Sequence, residues 1–170
     1  MPELQRLRAD HAAGILAFEL ANRGYFATFI SDRGDDYFAH FTEQHDARLA
    51  EQEAGTGAYY VLVDEDGSVL GRFNLVFVDD GVWELGYRVA EEVAGRGVAT
   101  AGVRDMCSLA ASRHGVRTLR AATARRNVAS QRVLLNAGFG EVGPADPADI
   151  GGQQGSWYER DLTQVSAGDA

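Results

Sequence analysis

Hydrophobic and polar positions change period several times along the chain. Residues 3–8, ELQRLR, alternate and predict a first strand. Asp10 is placed to cap a helix over 11–22, with Ile15, Leu16, Phe18 and Leu20 facing inward. The segment NRGYFATFISDRGDD reads as a loop, and a second helix over 35–53 carries Phe38, Phe41 and Leu49. The run AYYVLVDEDGSVLGRFNLVFVDDGVWELGYRVA then predicts three antiparallel strands, over 58–64, 68–78 and 82–90. Asp66-Gly67 and Asp80-Gly81 are the hairpin turns between them. After AGRGVAT a helix runs to 114, with Val98, Gly102, Met106 and Ala110 at i, i+4 spacing and Ala99, Val103 and Cys107 widening the stripe. His114-Gly115 stops it. A strand over 118–124, a helix over 127–137, a strand at FGEVG, a loop PADPADIGGQQG and a last strand SWYERDLTQV complete the pattern. The order β, α, α, β, β, β, α, β, α, β, β predicts an α+β fold, one mixed, mostly antiparallel sheet flanked by helices on both faces. A single domain over 1–165 and a disordered tail over 166–170 are expected.

Composition narrows the classes. With 45% hydrophobic and 24% charged residues, the 170-residue chain has the balance of an ordinary folded domain. No apolar run approaches the ~20 residues of a membrane span, and MPELQRLRAD is not a secretory signal, so no membrane partner is expected. A single Cys107 fits a reducing, cytoplasmic compartment. The net charge of −9 argues against nucleic-acid binding. That total conceals an asymmetry. Residues 88–132 hold nine Arg and three acids, a net of +6 against −15 for the rest. A positive middle suggests a local site for a small anionic ligand, or salt bridging to acidic neighbours. The acidic remainder suggests a cationic acceptor.

Two segments carry candidate chemistry. In the first, a strand ending at Val89 is followed by Ala94-Gly95-Arg96-Gly97-Val98-Ala99 and a helix. Glycines let the backbone come close to a ligand, and a helix start offers unpartnered N–H groups with partial positive charge. That is a phosphate cradle, or an ordinary glycine-rich connection. Neither a Walker loop nor a GxGxxG after a first strand is present. In the second, Asn127 and Ser130 lie three apart and share a helix face, which serves capping equally well. The four His show no metal-ligand spacing, so no metal is expected. Cys107 lies on the apolar stripe and reads as core.

Taken in order, the strand Trp83-Glu84-Leu85-Gly86-Tyr87-Arg88-Val89, the loop Ala94 to Thr100 and the Asn127-to-Phe139 segment resemble the GNAT superfamily of acyl-CoA N-acyltransferases. The branch most resembled is that of the ribosomal-protein alanine N-acetyltransferases. The resemblance spans residues 3–163, strongest over 82–139. It implies acetyl-CoA as co-substrate and a primary amine as acceptor, either a peptide N-terminus or a small molecule such as an antibiotic or polyamine. It implies that the backbone of Tyr87 and Val89 pairs with the pantetheine arm like an added strand. The N–H groups of Gly95, Arg96, Gly97, Val98, Ala99 and Thr100 would hold the pyrophosphate. Ala94 stands where the superfamily loop usually opens with Arg or Gln, so one side-chain contact is absent there. Asn127 would bind pantetheine. Ser130 is the candidate partner of the leaving thiolate, with Tyr158 as its rival. Glu84 is the candidate base, or else a salt-bridge partner for an Arg. The loop 22–26 falls where the family's acceptor-site loop lies, so its aromatics would line the acceptor site or else pack in the core. A non-catalytic acyl-CoA sensor is the alternative of a different class. The chain would be a monomer or a homodimer, the last strand offering an edge.

Overall fold

A computed structural model describes residues 1–163. One seven-stranded sheet organises them. Its strands are β1 (Glu3–Arg6), β2 (Gly57–Val63), β3 (Val69–Asp79), β4 (Val82–Val89), β5 (Thr118–Ala124), β6 (Gly140–Pro144) and β7 (Gly155–Asp161). Its helices are α1 (Ala12–Ala21), α2 (Arg23–Ala27), α3 (Asp35–Ala39), α4 (Phe41–Ala54), α5 (Val98–His114) and α6 (Val128–Asn136). The spatial order is β1-β2-β3-β4-β5-β7-β6, and every pairing is antiparallel except β4 with β5. The predicted α+β architecture is the one observed.

Strand alternation divides the core in two. Ala58, Tyr60, Phe73, Leu75, Trp83 and Leu85 face one way and pack with Val103, Met106 and Cys107 of α5 and Leu134 of α6. Tyr59 and Val61 face the other way, joined by Val69 beyond a register shift between β2 and β3, against Ile15 and Phe18 of α1, Phe26 of α2 and Phe41 of α4. Gly102 lets α5 approach the sheet, because a Cβ there would overlap the Phe73 ring.

Five expectations need correction. The segment over 22–36 is not all loop, since α2 forms there and seats Phe26 in the core. The helix expected over 35–53 is broken at His40 into α3 and α4. In α1 the inward positions are Ile15, Phe18 and Glu19, while Leu20 is 53% exposed. Glu19 follows Ile15 by four residues and so shares its face. The last strand, expected over 156–165, ends at Asp161 within the described residues. It lies between β5 and β6, so the sheet edges are β1 and β6 and β7 offers no free edge for a partner. The expected tail, 166–170, lies outside the described residues.

Candidate active site

The site begins where two strands part. β4 and β5 are parallel neighbours but pair only over 82–84 with 118–120. Beyond that point they splay. On its other side β4 keeps a regular register with β3, from Trp83 opposite Phe77 to Val89 opposite Gly71. The Ala90 N–H bonds the Leu70 carbonyl, so by alternation the backbone groups of Leu85, Tyr87 and Val89 turn toward β5. Past the last β4–β5 pair, those groups face the gap.

A cavity of about 360 Å³ passes through the sheet at this gap. On the α5–α6 side it is bordered by Tyr87, Asn127, Ser130 and Leu134. The Tyr87 hydroxyl lies 2.8 Å from Ser130 Oγ and donates to the Ser130 carbonyl at 3.3 Å. Its ring stacks on Phe73 with centroids 6.0 Å apart. Burial pushes the Tyr87 phenol up to about 12, so it holds its proton at neutral pH. Asn127 is the N-cap of α6, its Oδ1 accepting the Ser130 N–H at 3.2 Å. Tyr158 is 4% exposed in the main core and is not part of the cavity wall.

The other mouth has different chemistry. Arg33, Arg72 and Arg88 border it, and among the described residues no Asp, Glu or His does. Arg72 and Arg88 are cross-strand partners on one face of β3 and β4. Like charges directly opposite repel, and burial makes this worse. Glu19, 1% exposed, opposes them. It accepts from Arg33 Nε at 2.6 Å and Arg88 Nη1 at 3.3 Å, while Arg72 Nη1 lies 3.5 Å from its other oxygen. Arg88 also lies over the Phe26 ring and Arg33 over Tyr37, at 4.7 and 4.6 Å. Burial, and secondarily the charge of Arg33, lowers Arg88 to about 10, still a cation at neutral pH. The charge at this mouth is thus opposite to that of the surface as a whole. Sequence reasoning missed Glu19, Arg33 and Arg72.

The predicted phosphate loop lies beyond the C-terminal end of β4. Glu91–Val93 form a 3₁₀ turn, and Gly95 and Gly97 take φ of 75° and 77°. No side chain caps α5, and the first bond of its ladder runs from the Ala101 N–H to the Gly97 carbonyl. The N–H groups of Val98, Ala99 and Thr100 therefore precede the ladder at the positive end of a 17-residue helix. Arg96 and Ala94 are exposed. Of the predicted residues, Tyr87, Asn127 and Ser130 meet in the cavity wall, and residues 94–100 lie outside it. Glu84 lies on the strand face of Gly86 and Arg88 but outside the wall, its Oε1 3.5 Å from Arg120 Nη2. Burial raises the Glu84 carboxyl, and Arg120 opposes that shift.

A mixed sheet splayed between two parallel strands, with an uncapped glycine-led helix beyond the end of β4, is the architecture expected of an acyl-CoA-dependent N-acetyltransferase. The chain belongs to the GNAT acetyltransferases: the family model described as an acetyltransferase (GNAT) domain matches residues 3–140. The probable N-acetyltransferase YjcK of Bacillus subtilis (strain 168) is 27% identical over 148 residues, covering 82% of this chain and 80% of that protein. The fold matches the ribosomal-protein-S5-alanine acetyltransferase from Vibrio fischeri with a TM-score of 0.88 at 18% identity, covering 97% of this chain and 95% of that one. It also matches the spermidine N-acetyltransferase from Vibrio cholerae, solved in complex with CoA and spermine, with a TM-score of 0.78 at 16% identity and 96% of each chain covered. No helix among the described residues is long and apolar enough to cross a membrane, and no group of metal-ligating side chains occurs among them.

Proposed function

We propose that this acetyltransferase takes its acetyl group from acetyl-CoA and acts on an α-amine, such as a peptide N-terminus. The donor supplies an activated thioester. The open gap beside Leu85, Tyr87 and Val89 fits a pantetheine arm, and the bare N–H groups at the head of α5 fit a pyrophosphate. In this reading a backbone N–H of the 85–89 stretch steadies the charge that develops on the carbonyl oxygen. Ser130, held by the Tyr87 hydroxyl, protonates or hydrogen-bonds the departing sulfur. Asn127 orders the turn that presents Ser130.

The observation that carries the choice of amine is the lack of any carboxylate or imidazole in the cavity wall among the described residues. An α-amine with pKa about 7.7–8.0 is roughly one-seventh neutral at pH 7, whereas a lysine-type amine near 10.4 is neutral in about one molecule in 2,500. A site with no base at the cavity suits the first. Glu84, just outside, would act through water. The test is thiol release from acetyl-CoA with an alanine-led peptide, a peptide whose only amine is a lysine side chain, and spermidine, each with wild type and Glu84→Gln at pH 7 and pH 9. The reading expects the α-amine to be preferred at pH 7, and Glu84→Gln to slow it more at pH 7 than at pH 9. Preference for the lysine or spermidine amine would overturn it. Bound acetyl-CoA with no thiol release from any amine would instead support a sensor.

A further inference from the structure

The mouth opposite Ser130 has one buried carboxylate among three guanidiniums. Glu19 can neutralise one of them, leaving an excess of about two positive charges at a cavity wall that contains no acid. The three are not surface arginines bent inward. Arg72 and Arg88 have side chains 9% and 17% exposed, and Arg33 is 27% exposed. Rings hold two of them in place, and the Tyr37 hydroxyl lies 3.1 Å from Arg72 Nη1. A preorganised, partly desolvated set of guanidinium forks is the arrangement that binds a carboxylate in two-pronged fashion. Its position is also informative. Arg88 follows Gly86 by two residues on the same strand face, a step of roughly 7 Å. That places the cluster one to two peptide residues from the backbone stretch that would flank the thioester.

We infer that the acceptor carries a carboxylate within one or two residues of its reacting amine, bound by Arg33, Arg72 and Arg88. This rests on the transferase reading above. The shared chemistry is an amine and a nearby carboxylate, from an acidic peptide N-terminus or from a free amino acid. The same charge excludes polyamines, whose cations would meet three guanidiniums.

The test is a matched panel with the wild-type protein: amidated Ala-Asp and Ala-Asn peptides, free aspartate and alanine, and spermidine, read by thiol release. The expected result is a kcat/KM at least tenfold higher for Ala-Asp than for Ala-Asn, with spermidine below both. Free amino acids ahead of the peptides would assign the carboxylate to a small molecule. Arg88→Met, and separately the more exposed Arg33→Gln, should raise KM for Ala-Asp several-fold and bring the Ala-Asp to Ala-Asn preference close to one. Equal use of Asp and Asn peptides would overturn the inference while leaving the transferase reading intact; a preference for spermidine would overturn both the inference and the choice of an α-amine, leaving only acetyl transfer. If no amine turns over, calorimetry with the N-acetylated Ala-Asp and Ala-Asn amides reads the same selectivity without catalysis. Equal or absent binding there would also overturn it.

Discussion

Glu19→Gln is the substitution whose cost follows most directly from the geometry. It keeps the size of the side chain and removes its charge. Glu19 Oε2 lies 2.6 Å from Arg33 Nε and 3.3 Å from Arg88 Nη1, in a residue that is 1% exposed. At an effective dielectric of 20, a unit pair at 3.3 Å interacts by about 5 kcal/mol before desolvation is counted. The amide keeps one acceptor oxygen, so part of that is recovered. Removing one partner of a buried ion pair typically costs about 3–5 kcal/mol. The upper half of that range is expected here, because Arg72 and Arg88 stand directly across the strands from one another. For a domain of this length, 1 kcal/mol moves the melting temperature by roughly 2–4 °C, so a fall of about 8–20 °C is expected in a thermal melt followed by circular dichroism. Leu20→Gln, on the exposed side of the same helix, should stay within about 0.5 kcal/mol of wild type. A Glu19→Gln melt within 2 °C of wild type would refute the claim that this carboxylate holds the arginines together.

Three other outcomes are expected. Ser130→Ala and Tyr87→Phe should each lower kcat, and the double variant should lose less than the two together, since the hydroxyls act as one pair; an unchanged kcat in Ser130→Ala would remove Ser130 from the chemistry. Gly102→Ala should cost about 1–3 kcal/mol by forcing Phe73 aside, measured by urea denaturation, and an unchanged midpoint would contradict the packing described between α5 and β3. His11 accepts the Arg8 N–H at Nδ1 and bonds Gln5 through Nε2, and burial lowers its pKa below 6.5. It therefore contributes stability that is present above pH 6.5 and is lost as the pH falls through the lowered value, so the melting temperature should drop between pH 7.5 and pH 5 and drop less in His11→Asn.

Much of the fold was legible from period alone. The 57–90 meander announced itself through two Asp-Gly turns and strand-length apolar runs, and Gly95 and Gly97 marked the approach to α5. The glycine-led start of α5 and the Asn127–Ser130 contact were legible as local motifs for the same reason: their geometry is set within a few residues. The arginine mouth was not. Arg33, Arg72 and Arg88 come from three separate segments, and only the β3–β4 register places two of them side by side. Glu19 carried a readable signal in its spacing from Ile15, but its charge made Leu20 look like the inward residue, and tertiary pairing decided otherwise. α2 was hidden because a five-residue helix has too little length to show a period. The place of β7 between β5 and β6 depends on a long-range pairing that local pattern does not encode.

The proposed seat of acyl-CoA is the β4–β5 gap together with the head of α5. A thermal melt with acetyl-CoA, with adenosine diphosphate as the comparison, tests it most directly. At 100 times its Kd a ligand adds about 2.7 kcal/mol, which for this chain means a rise of roughly 5–11 °C. Such a rise is expected with acetyl-CoA and a smaller one with the nucleotide, which lacks the arm that would fill the gap. No rise at millimolar acetyl-CoA, or an equal rise with the nucleotide alone, would contradict it.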